Sequence, residues 1–420
     1  MTETNIFHLS QPGTFCDALT DVLRNGARAL LAQAVEAEVA AMLASHSDKL
    51  TDDGRQRLVR HGHLPEREVM TGIGPVAVSC PRVRDRVGKE AERIRFSSAI
   101  LPPYARRSKS LEVLIPILYL KGVSTGDFEE ALSALVGKEA GGLSASTIGR
   151  LKEAWSEEHA RWNRRDLSGR RYVYFWVDGI HVQARLEDDA QCLLVIIGAT
   201  PEGEKELVGL TDGVRESAQS WKELLLDLKR RGLTIGPELA VADGALGFWK
   251  AVEEVWPKTC GQRCWVHKTA NVLNKLPKSQ QPKAKRALQE IWMAATKNDA
   301  IAAVDAFIET WGVKYEKAVD CLSKDRDALL AFYDFPAEHW KHLRTTNIIE
   351  SSFATVRHRT VRSKGCLSNK TALAMIFKLA EAAQKSWRRL NGRNQLPKLI
   401  LGVKFADGIE VVGSQAQAAA

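Results

Sequence analysis

Apolar positions recur at helical spacing between residues 17 and 47, where Leu19, Val22, Leu23, Leu30, Val35, Val39 and Leu43 predict one long amphipathic helix. Short alternating runs broken by Gly and Pro follow over 67–80, predicting two strands joined at a Gly72–Pro75 turn. From 111 the pattern turns helical again, with helices expected at about 111–120, 125–136 and 145–156. Ser124 and Ser144 suit N-caps there, and Gly122 and Gly137 follow helix ends. Three short helices with tight turns match a helix-turn-helix, and equally three helices that only pack on one another.

β-rich runs come next, at 171–180, 181–186 and 191–200, then a helix over 217–233 ending at Gly232 and a short buried strand at 238–244. Three strands, a helix and a further strand is the opening order of an RNase H-like α/β domain. Residues beyond Leu276 read as helix for about seventy positions, as an all-α insertion would. The predicted organisation is a mainly helical N-terminal region (1–165) with the helix-turn-helix at about 111–156. An α/β domain follows in two parts (166–276 and 345–405), split by an insertion (277–344), and 406–420 is expected to be a tail.

Composition narrows the class. A chain of 420 residues has room for about two to three domains, and 45% hydrophobic residues suits a globular protein. The longest clean apolar run, 192–199, is far shorter than the roughly 20 residues of a membrane span. The first residues carry no basic flank and no long apolar stretch, so no signal peptide is expected. Seven scattered cysteines fit reduced thiols, and a cytoplasmic, nucleoid-associated location is the expectation.

Charge adds a partner. The net charge of +9 is unevenly placed. Residues 82–109 hold nine Lys/Arg against three acids, and 341–370 hold seven against the single Glu350. Such stretches attract phosphate backbones without reading sequence, although basic surface is also common for solubility.

Three carboxylates stand out within this pattern. Asp178 in "FWVDGI" and Asp243 in "LAVADGALGF" each close an apolar strand in this reading, and Glu350 begins a late helix. A carboxylate ending a buried strand is costly unless paired or bound to a cation. Singly, each Asp-Gly reads as a turn; together, with this strand order, they point to convergence at one sheet edge. Two Asp and one Glu supply the oxygen ligands that Mg²⁺ or Mn²⁺ prefers, in the manner of a two-metal site for phosphoryl displacement. Cys264 and His267 have Cys-x-x-His spacing with Cys260 just upstream, but zinc needs about four ligands and no second pair is visible.

The segments "DGIHVQARLED", "KELVGLTDGVRESAQSWKELLLDLKRRGL", "LAVADGALGFW", "QRCWVHKTANVLNKLP", "HLRTTNIIESSFATVRHRT" and "FKLAEAAQKSWRRL" together resemble the mutator-type family of bacterial insertion-sequence transposases. The resemblance runs from roughly 60 to 405. It implies a DDE transposase with an RNase H-like catalytic domain interrupted by an all-α insertion. It also implies Asp178, Asp243 and Glu350 as the catalytic and metal-binding triad, with Cys264 and His267 shaping the site. One position departs: the family usually has Pro where Ile348 stands, and Pro at a first helical turn pre-sets φ.

The implied partners are double-stranded DNA, as terminal inverted repeats and target, and a second copy of the chain or more. The implied reaction is cleavage at element ends followed by strand transfer. Its rivals are a nuclease that cuts without joining and a decayed DNA-binding regulator. Within the helix-turn-helix, Ser146, Thr147 and Arg150 are placed to meet base edges, because recognition helices present their N-terminal residues. Arg357, Arg359 and Arg362 are expected to hold phosphates beside the active site.

Overall fold

The computed structural model describes residues 18–87, 93–108, 111, 118, 145–182, 191–213, 217–244, 246–351, 353 and 369–411. The chain forms two compact units, 1–148 and 149–420. In the first, helix α1 (Ala18–Ala44) precedes four short strands, β1 (Leu58–His63), β2 (Arg67–Thr71), β3 (Gly74–Val78) and β4 (Pro81–Asp85). They pair as two antiparallel ribbons, β1 with β4 and β2 with β3. Among the described residues, Val35 of α1 meets Val69, Val76, Val78 and Leu101 in a core cluster, with Ala27, Leu31 and Phe96 against them. The periodic residues Leu19, Val22, Leu23 and Leu30 of α1 are exposed, because periodicity marks an apolar stripe without saying what covers it. The basic stretch after β3 was not read as strand, yet β4 alternates. Arg82, Arg84 and Arg86 stand exposed, with Pro81 and Val83 more buried between them.

Most of the proposed helix-turn-helix (111–156) lies outside the described residues. Its last helix runs Ala145–Asn163 (α2), past the expected end.

The second unit is built on a five-stranded mixed sheet in the order β7-β6-β5-β8-β9. These strands are β5 (Tyr174–Val182), β6 (Gln191–Ala199), β7 (Lys205–Gly213), β8 (Leu239–Ala242) and β9 (Cys260–Arg263). β6 is antiparallel to both neighbours, while β8 and β9 extend the other edge in parallel. The break expected between strands at 171–180 and 181–186 is absent, because β5 runs on through Val182; residues 183–186 lie outside the described residues. Asp178 and Gly179 pair with Val195 and Leu194 of β6, and that ladder carries the Asp-Gly straight instead of turning it. The third strand is β7, missed because "KELVGLTDG" mixes charge and glycine; its burial comes from Leu207, Val208 and Leu210.

Helices α3 (Ala218–Arg230) and α4 (Leu246–Val255) cover one face of the sheet. Trp221, Leu224, Leu225, Leu228, Phe248 and Val252 pack there with Phe175, Val177, Leu194 and Ile196. Ser217 caps α3 by accepting from Ser220 N–H. At the edge, β7 is shielded from further pairing. Arg165 donates to the carbonyls of Leu207 and Val208, and the Leu207 N–H donates to Gln384.

After β9 come α5 (Trp265–Leu273), α6 (Gln281–Met293), α7 (Lys297–Gly312), α8 (Glu316–Ser323), α9 (Arg326–Leu330) and α10 (Trp340–Leu343). A further helix opens at Asn347, and α11 (Asn369–Gln384) returns toward β7. Residues 406–411, expected to be tail, belong to the unit: Phe405–Ala406 pairs with Ile409–Glu410, and Gly408 N–H donates to Tyr333 O. Among the described residues, no helix is long and apolar enough to cross a membrane.

Candidate active site

Strand alternation decides which way Asp178 faces. Phe175 and Val177 join the core under α3 and α4, so Tyr174, Trp176 and Asp178 share the opposite face. Asp178 is therefore mid-strand, not at a strand end as the sequence reading had it, and only 8% exposed. The chain that crosses this face is tied to β5 at alternate residues. The Tyr174 hydroxyl bonds to His339 Nδ1 at 2.7 Å, and Trp176 Nε1 donates to the His342 carbonyl at 2.8 Å. His339 Nε2 lies 2.9 Å from the Gly392 carbonyl. A carbonyl only accepts, so Nε2 carries the proton and Nδ1 accepts from Tyr174. Burial holds His339 below its ordinary pKa, which keeps it neutral for this role. Residues 339–342 are thus fixed to β5 just before the helix that carries Glu350.

His267 lies in the first turn of α5. Its Nε2 stands 3.6 Å from Glu350 Oε1, and the charges of Asp178 and Asp243 also bear on it. Its pKa is pushed up to about 9, first by the neighbouring Cys264 sulfur, against the opposing effect of burial, with the two aspartates adding to the rise. Among the described residues, the buried His267 Nδ1 finds no partner within hydrogen-bond criteria, so Cys264 acts on it as a close neighbour. Burial pushes the Cys264 thiol up, but His267 and Thr346 outweigh it, so the thiol sits below its ordinary value. Thr346 N–H and hydroxyl both donate to Cys264 Sγ at 3.4 Å. Trp265 N–H donates to Arg344 O at 2.8 Å. The Cys-x-x-His segment therefore holds the chain four residues ahead of Glu350 against the start of α5.

Asp243 follows β8 directly. Its carbonyl accepts from Trp249 Nε1 at 2.9 Å and Arg263 Nη1 at 3.1 Å, and the Arg263 guanidinium lies 4.3 Å over the Trp249 ring. Cys264 N–H donates to Ala242 O at 2.8 Å, which closes the edge between β8 and α5.

Asp178, Asp243 and Glu350 come from distant parts of the sequence and carry the hard oxygens that Mg²⁺ or Mn²⁺ prefers. No three His, Cys, Asp or Glu side chains among the described residues are close enough to hold an ion, and Glu350 instead contacts His267.

Comparison with known proteins gives the family. The profile described as "Transposase, Mutator family" matches residues 2–389. The chain belongs to the mutator family of transposases. It is 55% identical over 288 residues to the transposase for insertion sequence element IST2 of Acidithiobacillus ferrooxidans, covering 67% of this chain and 95% of that protein. The transposase for IS6120 of Mycolicibacterium smegmatis is 53% identical over 295 residues, covering 70% and 91%. The transposase for IS256 in transposon Tn4001 of Staphylococcus aureus is 29% identical over 305 residues, covering 71% and 74%.

Within this mutator-family chain, Arg150 is exposed on α2, where Ser146 and Thr147 also lie; the side chains of those two are outside the described part. Arg357, Arg359 and Arg362 also fall outside the described residues. Sequence reasoning missed Tyr174, Trp176, His339, His342, Thr346 and Arg263, which position the site without carrying its charge. Strand alternation was the available signal for Tyr174 and Trp176, which stand four and two residues before Asp178. Tyr174→Phe is expected to cost about 1–3 kcal/mol by leaving fully buried His339 Nδ1 without a donor. Thermal unfolding of the variant would reveal this, and an unchanged melting temperature would show that the bond contributes nothing.

Proposed function

We propose that the chain is a DDE transposase that cleaves DNA at the ends of its own element and joins the freed ends to new DNA. The observation that carries this reading is Glu350 standing 3.6 Å from His267, an imidazole on which the charges of Asp178 and Asp243 also bear. The strand order, with only the second strand reversed, supports an RNase H-like catalytic domain, and the helices of 277–344 support the all-α insertion.

In the first step, water attacks the phosphodiester at the element end, and the bond from phosphorus to the 3′ oxygen breaks to free a 3′-hydroxyl. That hydroxyl then attacks a phosphodiester of a second strand, forming a new bond and releasing the old 3′ oxygen as a hydroxyl. Asp178, Asp243 and Glu350 would hold divalent ions, which supply charge stabilisation at the reacting phosphate and ease deprotonation of the nucleophile. His267, protonated at neutral pH, is suited to donate a hydrogen bond to a non-bridging phosphate oxygen. Arg82, Arg84 and Arg86, exposed on one strand, suit phosphate contacts in the first unit. DNA is the partner on this reading, and synapsis of two ends calls for more than one copy of the chain.

A strand-transfer assay with pre-cut element ends tests the joining step directly. Mg²⁺ or Mn²⁺ should support transfer, whereas Ca²⁺ should permit binding with little catalysis, because its coordination is larger and looser. Robust transfer in EDTA would refute metal-dependent chemistry, and cutting without joining would favour a nuclease.

A further inference from the structure

A recess of about 500 Å³ lies beside α10, lined by Ala337, Glu338, Trp340, Lys341, Arg344, Asn391 and Gly392. Its polar lining is mostly donors: an ammonium, a guanidinium and a side-chain amide, against the single carboxylate of Glu338. Among the described residues, Arg344 Nε is buried without a hydrogen-bond partner. Buried polar atoms are ordinarily satisfied, so this orphan donor points to a missing acceptor. Arg344 is nonetheless held firmly, its guanidinium 4.7 Å from the Phe332 ring centre and 5.4 Å from that of Trp340.

The surrounding charge has the same sign. Lys205 donates to Arg388 O at 2.7 Å, and burial together with the Lys341 charge holds its pKa below the ordinary value. His342 is pushed down to about 4 by burial first, then by Lys205, Lys341 and His339, with Asn391 opposing. Cations crowded until they depress one another favour an anion among them. The recess also stands apart from the carboxylates. Lys205 pairs with Ala199, which pairs with Tyr174, at the start of the β5 ladder and four residues before Asp178.

We propose that this recess is a phosphate subsite that grips the backbone of bound DNA through Lys341, Arg344 and Asn391, away from the point of chemistry. The proposal rests on the DNA-processing reading above. Arg344 connects the subsite to that chemistry, since its carbonyl accepts from Trp265 and its position is six residues before Glu350. A strand held here is fixed relative to the helix that carries Glu350.

The test uses the full chain and a labelled duplex carrying an element end, followed by fluorescence anisotropy through a salt series. Lys341 is exposed, so its replacement should leave the fold intact. Lys341→Ala should weaken binding about 3- to 10-fold at low salt and reduce the slope of log K against log salt by roughly 0.9, one phosphate's worth. Lys341→Glu should weaken it further. Lys317→Ala, an exposed lysine on α8, should change neither value. An unchanged slope for Lys341→Ala, or an equal change for Lys317→Ala, would overturn the subsite. A subsite for small free phosphates would instead show thermal stabilisation by inorganic phosphate that Lys341→Ala abolishes, with the duplex slope unaltered, and that result too would overturn it. If the unaltered protein bound no duplex at all, the transposase reading itself would fall.

Discussion

Asp178→Ala, Asp243→Ala and Glu350→Gln are each expected to lose strand cleavage and transfer by on the order of 10³-fold or more, with duplex binding kept within a few-fold. The separation follows from charge. The three carboxylates repel phosphate, so removing one does not weaken the grip of the arginines and lysines elsewhere. Each is nevertheless required together with the others, because phosphoryl transfer needs charge stabilised on both attacking and leaving oxygens. Glu350→Gln is the most informative of the three, since it keeps the size of the side chain and changes only its charge. Its contact with His267 at 3.6 Å would become that of a neutral amide. Near-normal cleavage by any one variant, measured on a labelled element-end duplex, would remove that residue from the triad.

Asp85→Ala is expected to destabilise the first unit by about 3–5 kcal/mol, the cost of removing one partner from a buried ion pair. The Asp85 side chain is 1% exposed and ends β4. Arg57 donates to it from Nε and Nη2, each at 3.0 Å, and the N–H groups of Val87 and Ile94 donate at 3.0 and 2.8 Å. One carboxylate thereby ties Arg57, just before β1, to Val87 and Ile94, which follow β4. The Arg57 hydrogen bond holds the Asp85 carboxyl well below the usual range, burial opposing and the backbone donors adding to the fall.

The sign with pH follows from that depression. Stability from Asp85 is present above the unfolded pKa of about 4 and is lost as pH falls through the lower folded value. Calorimetry from pH 7 to 2 should show the unaltered unit losing stability below about pH 4. Asp85→Asn should start lower and fall less, because it has no such charge to lose. Equal acid sensitivity in both proteins would sink the assignment.

Local pattern made several elements legible. Helical spacing announced α1, the Gly72–Pro75 turn announced β2 and β3, and Ser217 and Gly232 bracketed α3. Asp178 misled because Asp-Gly is a turn signal taken alone, and only its ladder with Val195 and Leu194 shows the strand running on. β9 escaped notice because "CGQR" carries no alternation; it is a strand through its parallel register with β8. Arg82, Arg84 and Arg86 read as bulk basic charge, and pairing of β4 with β1 is what aligns them on one face.

By itself, the sequence determined the family and the α/β character of the second unit, since residue type and motif spacing are properties of the chain alone. Tertiary structure decided what meets what. His339 and His342 lie more than 160 residues from Tyr174 and Trp176, and no local pattern encodes their hydrogen bonds. The charge state of His267 likewise belongs to the fold, because it arises from Cys264, Asp178 and Asp243, brought together across strands and a helix. A pKa and a hydrogen bond depend on distance and desolvation, and both exist only once the chain has folded.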